Sequence, residues 1–597
     1  MKPEKTSWKK FNRLRFSKKS LNRHVKKIEK GTVRHANKFV TSRLDRLSGV
    51  RRNISMWIVL IVLLVLASAL QWGSFRDSYT DIAHGSGGAY SEGVLGPVET
   101  LNPLFAKSSA EKSAARLLFS SLYQYDETGH LKGDLAKDVK INDQETEYVV
   151  NLKEGLKWSD GSELNADDVV FTVNLIKNPQ VSSITGWDSV NVEKIDNLAV
   201  KFTLSATYAP FAHSLTFPVL PRHVLEKIPV SDIREGVYSS SPSVTSGPFA
   251  LRLVQDSVND GTKKIIHMTA NPYYHGGLAK LERFQLYVYP NKDDIAKALR
   301  TNEIIGTPEL VYNSLDDQIK NRYVSSSYSI NDAVYALLNS RSQVLSSQAV
   351  RRALAYSINS AEVRQELDLS TKELNGPVLE NHIDGKMSSI PKKDTKKAKQ
   401  LLEDEGWKLN GNKRSKNGQD LKLSIVALKG SEYEEISNIL AKTWKEDLNI
   451  ETEVRIVDQT DTAQNILTSV LKPRNFDVLI YELVIGGDPD VYAYWHSSQT
   501  TPTGHNFANY SNIVADDALE SGRGKATPVQ RSNRYKLFVQ RWQADMPAIP
   551  LYQPRLDYIQ LESVQTIDKN TEFVYPTDRY ANVIYWSVQR ERVYKTP

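Results

Sequence analysis

The chain has 597 residues, 40% apolar and 25% charged, with 30 Gly, 24 Pro and no Cys. That composition excludes collagenous, disordered and polytopic membrane chains, and the missing cysteine excludes disulfide scaffolds, cysteine-based metal sites, cysteine nucleophiles and a lipidated cysteine. The net charge of +7 hides an asymmetry: residues 1–55 hold 18 Lys and Arg against Glu4, Glu29 and Asp45, leaving 59 basic and 67 acidic residues in 56–597. A basic arm therefore precedes a mildly acidic body.

The arm, residues 1–55, ends at Arg51-Arg52, and the next charge is Arg76. The 23 residues from Asn53 to Phe75 are uncharged and densely apolar from Met56 to Leu70. At about 1.5 Å per residue such a run crosses the roughly 30 Å hydrocarbon core. Residues 56–72 therefore predict a transmembrane helix in the lipid bilayer, with Trp57 and Trp72 near its interfaces. The positive-inside rule puts the N-terminus in the cytoplasm and the body outside, a single-pass cell-membrane protein. Ala67-Ser68-Ala69 resembles a cleavage site, but the arm is too long for a signal n-region. Beside a membrane segment the arm reads as a topology signal touching anionic lipid, not as a nucleic-acid-binding tail.

Residues 73–94, polar and glycine-rich, read as a flexible tether, with order beginning near residue 95. Ser108 with Glu111 predicts a capped helix through Leu122, and Asn165 caps another, with Asp167 and Asp168 in its first turn and a stop at Asn178-Pro179. The helix dipole accounts for those paired acids without catalysis. Alternation predicts strands at Leu198–Leu204 and Phe284–Val288. Ser347 opens a helix through Ile358, and another runs from Thr395 to a Gly406 stop. In 421–490 a strand from Leu421, a helix boxed by Ser431 and Glu434, a strand from Ile450, a helix around Ala463–Leu471 and a strand from Val478 make a βαβαβ pattern. It predicts a mostly parallel sheet that binds ligand beyond its carboxyl ends, here Gly486-Gly487-Asp488-Pro489-Asp490 followed by Tyr492, Tyr494 and Trp495.

Reaction motifs are missing: the 11 His never fall at i, i+4, and there is no Gly-x-Ser-x-Gly elbow or Gly-x-x-x-x-Gly-Lys loop. Asp488 and Asp490 lack the ligand series of a calcium loop and read as turn and cap residues. His496 and His505 read as surface or pocket-rim residues. No catalytic residue, metal or cofactor is expected.

Several passages carry a family resemblance: Glu99-Thr100-Leu101-Asn102-Pro103-Leu104, Leu152-Lys153-Glu154-Gly155-Leu156-Lys157-Trp158-Ser159-Asp160-Gly161, Leu164-Asn165-Ala166-Asp167-Asp168-Val169-Val170-Phe171, Ser246-Gly247-Pro248-Phe249 and Val350-Arg351-Arg352-Ala353-Leu354-Ala355-Tyr356. In this order they resemble family 5 extracellular solute-binding proteins, the oligopeptide- and dipeptide-binding components of ABC importers. The resemblance implies an α/β, bilobed periplasmic-binding-protein-like fold of type II, large peptide-binding class, joined to the N-terminal transmembrane helix. Lobe I would comprise 95–325 and, on the return, 550–597, with lobe II at 326–549. It implies an extracellular binding protein, not an enzyme, that passes short peptides to ABC permease subunits. The implied ligand contacts are Tyr481, Leu483, Ile485, Gly486, Asp488 and Trp495 from lobe II and Phe105, Lys107 and Trp187 from lobe I. Peptide-binding members place an Asp where this chain has Ile485, so Glu482 or Asp488 would serve a ligand's amine, or the amine reaches solvent or is absent. Other readings are a different solute (an oligosaccharide, metal chelate or modified peptide), a sensor signalling through the arm, or an enzyme acting on peptides.

Overall fold

The computed structural model describes residues 30–31, 33–34, 51–181, 186–256, 263–367, 369–429, 432–458, 465–524, 527–569 and 571–594. They divide into two compact units, Met1–Ala83 with Glu591–Pro597, and His84–Arg590.

The first unit contains helix α1 (Arg51–Tyr79), which extends past 56–72 at both ends. Within it Ile54–Trp72 has a mean hydropathy of 2.5 and no buried residue. Five turns of exposed Leu, Ile and Val are unfavourable in water and favourable in an apolar medium.

The second unit, the body, begins at His84, and its first strand lying wholly within it is β1 (Ala89–Leu95), whose central residues are buried. The 73–94 tether is corrected here, because 73–79 belong to α1, Thr80–Gly85 is a strand, and the segment ends in a central strand. Glycine and serine suit that strand through close packing: a Cβ on Gly93 would lie 2.5 Å from Ile304. Glu92 is buried in an ion pair with Arg579 at 2.7 Å. Helix α2 (Ser109–Leu118) carries the Ser108/Glu111 capping box, and α3 (Ala166–Lys177) an Asn165/Asp168 box and an Asn178 end. The Asp168 carboxylate accepts from the Asn165 and Arg222 backbones and the Trp158 indole, so a helix cap accounts for it. Strand β2 (Arg283–Tyr289) runs parallel to β1.

β3 (Asp332–Leu338) is buried throughout. Helix α4 (Gln348–Ser357) follows Ser347, whose side chain makes no capping hydrogen bond, contrary to the expectation. Helix α5 (Thr395–Asp404) is capped by Asp394. β4 (Lys422–Leu428), α6 (Glu432–Leu448), β5 (Glu451–Val457) and β6 (Val478–Val484) form the expected parallel block, β4 pairing with both β5 and β6. The expected Ser431 cap and the helix start at Ala463 lie outside the described residues; Leu467–Leu471 is a π-helical turn. Then follow α7 (Tyr492–Trp495), α8 (Ile513–Arg523), α9 (Pro528–Asp545) and β7 (Ala548–Leu561). Within residues 421–490 the parallel expectation holds for β4, β5 and β6, but beside them β3 is antiparallel to β6 and β7 antiparallel to β3. The sheet is mixed, in the order β5-β4-β6-β3-β7-(Gly306–Thr307)-β1-β2-(Lys264–Ala270)-(Phe249–Asp256).

Apolar packing divides the body into two halves. One core gathers residues from Tyr90 to Ile330 and from Leu556 to Trp586, with Trp158 anchoring a neighbouring cluster. The other covers both faces of β3, β4 and β6, from Ala333 to Tyr552, with Trp444, Trp495 and Trp542 fully buried. Each fully buried large apolar side chain contributes about 1.5–3 kcal/mol. The chain passes between the halves at Ile330–Ala333 and again within β7 at Tyr552–Leu556.

A candidate ligand cleft between the halves

β6 has one laddered edge and one open edge. β3 pairs with all of it, Asp332 opposite Val484 through Leu338 opposite Val478. On the other side β4 reaches only Val478 and Leu479. Ile485 N–H donates to the Asn331 carbonyl at 2.9 Å, so strand alternation turns the backbone groups of Glu482 and Val484 to the opposite edge. There the Val484 carbonyl accepts the Tyr494 hydroxyl at 2.8 Å. Among the described residues no strand ladders with that stretch.

Beyond β6 the loop Gly486–Asp490 meets the first half. Gly486, at φ +77°, accepts from Asn331 Nδ2 at 3.0 Å. Gly487 lies so close to the first half that a Cβ would sit 2.4 Å from the Tyr125 ring. Tyr125 Oη is 2.7 Å from His213 Nδ1, and His213 Nε2 is 3.9 Å from Asp488. Arg531 donates both terminal nitrogens to Asp488, at 3.0 and 2.8 Å. Asp490 accepts the Tyr208 hydroxyl at 3.0 Å and lies 3.0 Å from Arg523 Nε. The Arg523 guanidinium lies over the rings of Tyr208 and Tyr492, at 4.8 and 4.3 Å. Such cation–ring contacts contribute about 0.5–2 kcal/mol each.

Burial sets the electrostatics. It lowers the pKa of His213, against the opposing effect of Asp488. It pushes His382, beside Asn331 Nδ2, down to about 4. Burial raises Glu482, although the Tyr433 hydroxyl donates to that carboxylate at 2.8 Å. Asp332 is pushed up to about 8 by burial first and Glu482 second.

The structure separates the residues expected from sequence. Gly486 and Asp488 lie at the junction of the halves. Tyr481 is half-buried, edge-on to Phe507 at 5.3 Å. Leu483 and Ile485 are 3% and 6% exposed and belong to the second core. Trp495 is fully buried, edge-on to Tyr335 and Trp542, so it backs the loop without forming its surface. Phe105 is buried under Arg234, and the exposed Lys107 donates its backbone N–H to Glu111. Trp187 packs on Phe217 and lines a cavity of about 710 Å³ with Tyr208, Phe211, Asp490, Tyr492 and Arg523. The turn-and-cap reading of Asp488 and Asp490 missed their ion pairs, and His496 is buried, stacked on Tyr492 at 4.0 Å. Tyr125, Tyr208, His213, Asp332, Arg523 and Arg531 escaped sequence reasoning, because their partners are distant in the chain. Among the described residues no group of three His, Asp or Glu side chains is arranged to hold a metal ion.

The family model "Bacterial extracellular solute-binding proteins, family 5 Middle" matches residues 130–505, and the chain belongs to this family. The oligopeptide-binding protein AppA of Bacillus subtilis (strain 168) is 26% identical over 521 residues, 84% of this chain and 93% of the relative. The solved structure of the oligopeptide-binding protein AppA from Bacillus subtilis, in complex with a nonapeptide, matches 85% of this chain and 100% of its own with a TM-score of 0.69 at 24% identity. The ABC transporter substrate binding protein CtaP from Listeria monocytogenes matches 84% of this chain and 100% of its own, with a TM-score of 0.72 at 23% identity. The resemblance read from the motifs is borne out, and the fold is that of these binding proteins.

Proposed function

We propose that the protein is the membrane-anchored peptide-capturing component of an ABC importer. The observation that carries this reading is the open edge of β6 at Glu482–Val484, beside the junction of the halves. An extended peptide can add to such an edge as a further strand, bound through its backbone and so with broad tolerance of side chains. AppA of Bacillus subtilis, named for oligopeptide binding, supports the same ligand class. In this reading the two halves act as lobes, with boundaries at Ile330–Ala333 and Tyr552–Leu556 instead of 325/326 and 549/550, and close on ligand by hinge motion. Gly486 and Asp488 shape the loop beside the peptide, Tyr481, Leu483, Ile485 and Trp495 hold the strand from behind, and Trp187 lines the neighbouring cavity. Helix α1 crosses the bilayer with the arm in the cytoplasm, replacing a lipid anchor. Permease and ATPase are separate chains, and no catalytic step is involved.

Native mass spectrometry of the full chain released from detergent tests the ligand class. A heterogeneous set of short peptides carried through purification is the expected result. A single non-peptide mass would overturn it.

A further inference from the structure

The open edge of β6 carries a side chain of the protein itself. Val484, the last residue of the strand, turns its carbonyl to that edge, and the Tyr494 hydroxyl donates to it at 2.8 Å. Tyr494 stands on α7, just past the Gly486–Asp490 loop, and its half-buried ring packs on the second core near Tyr481. The next residue, Trp495, is fully buried and holds the helix in place, so two side-chain torsions are enough to lift the phenol off the carbonyl without moving the backbone. Burial first and Asp332 second push the Tyr494 pKa up to about 12, so the hydroxyl keeps its proton and donates throughout the neutral range. Tyr494 also makes Tyr575, in the first half, less acidic, which puts the contact at the junction of the halves.

Unpaired strand edges recruit further strands, and proteins cover them. Here the cover is one hydroxyl, a donor like a backbone N–H, at an acceptor that an added strand would use. Most peptide residues can replace it with their own N–H. Proline has none, and a carbonyl that loses both its donor and water is costly.

We infer that the Tyr494 hydroxyl stands in for a ligand backbone N–H at the Val484 carbonyl: an ordinary residue displaces it, and proline leaves it in place. The inference rests on the peptide-capture reading and names a ligand class within it, peptides with proline at the residue facing Val484, which the edge accepts without stranding an acceptor. Tyr494 is thus a specificity-determining residue. It weakens binding of ordinary peptides slightly and lowers the penalty against prolyl ones at one position.

The test uses the full chain in detergent, a seven-residue Ala/Ser peptide, and six versions of it, each with one backbone nitrogen methylated at positions two to seven. Calorimetry gives each affinity for the wild type and for Tyr494→Phe, and comparing the two proteins cancels the effect of methylation on the peptide alone. Tyr494→Phe should bind the parent peptide about five-fold tighter, because no internal bond is given up. At one position methylation should cost about two-fold in the wild type and about ten-fold in Tyr494→Phe, and at the others it should cost the same in both. A parent peptide bound no tighter by Tyr494→Phe, or methylation costs that match at every position, would overturn the role of Tyr494 while leaving peptide capture standing. Failure of the wild type and Tyr494→Phe alike to bind the parent peptide would overturn peptide capture itself, and this inference with it. Phe keeps the ring and its packing; if Tyr494→Phe nevertheless fails to fold, Tyr494→Leu, also without a donor, decides by the same comparison.

Discussion

A methyl group added to Gly487 would lie 2.4 Å from the Tyr125 ring, and these two residues belong to different halves. Gly487→Ala should therefore hold the halves apart. Overpacking costs about 1–3 kcal/mol, so peptide affinity should fall about ten-fold or more by titration calorimetry, with little change in melting temperature. Ile485 works differently. It is 6% exposed inside the second core, so Ile485→Asp would bury a carboxylate among apolar groups. The expected outcome is a loss of about 3 kcal/mol or more of stability in thermal or denaturant unfolding, not tighter binding. Asp332 carries a pH signature. Its pKa, pushed to about 8 from an ordinary 3.8, means that the folded protein holds a proton there that an exposed carboxyl would have lost. Its contribution to folding stability therefore declines as pH rises from about 4 to 8. The wild type should therefore lose melting temperature between about pH 4 and 8 relative to Asp332→Asn, which has no proton to lose there. Thermal unfolding across that range measures this directly, and parallel curves for both proteins would contradict it.

Between elements, the two arginines on α8 and α9 do different jobs. Arg531 reaches Asp488 within the second half, and both are largely buried. Arg531→Gln leaves that carboxylate without its cation and should lower folding stability by about 3 kcal/mol, visible as a lower melting temperature without ligand. Tyr208 crosses from the first half to reach Asp490 and Arg523. Tyr208→Phe removes that bond between the halves and should speed peptide release about five-fold, measured by stopped-flow dissociation. Legibility in the sequence divides along the same line. The Ser108/Glu111 and Asn165/Asp168 boxes and the β4–β6 block were readable because their determinants are local in the chain. β1 was not, since its Gly and Ser resemble a linker until Ile304 and Arg579 are brought against it. Asp332 was not either: one acid at the start of a strand says nothing until Glu482, 150 positions away, lies on the same face.

At the scale of the whole molecule, removing residues 1–83 should release the chain from membranes into the soluble fraction while leaving peptide affinity within about two-fold, since the body, His84–Arg590, is a compact unit by itself. Retention at the membrane would show that the body has its own attachment. The body's two crossings have a mechanical meaning. Ile330 donates to the Pro554 carbonyl at 3.3 Å, and Gln553 donates to the Ile330 carbonyl at 2.8 Å, so the two covalent links between the halves lie side by side. Paired links of this kind behave as a flexure: they yield to bending about the line through both and resist sliding or shear. The halves then have one soft direction of travel, and a partner gripping both of them would read occupancy as an angle.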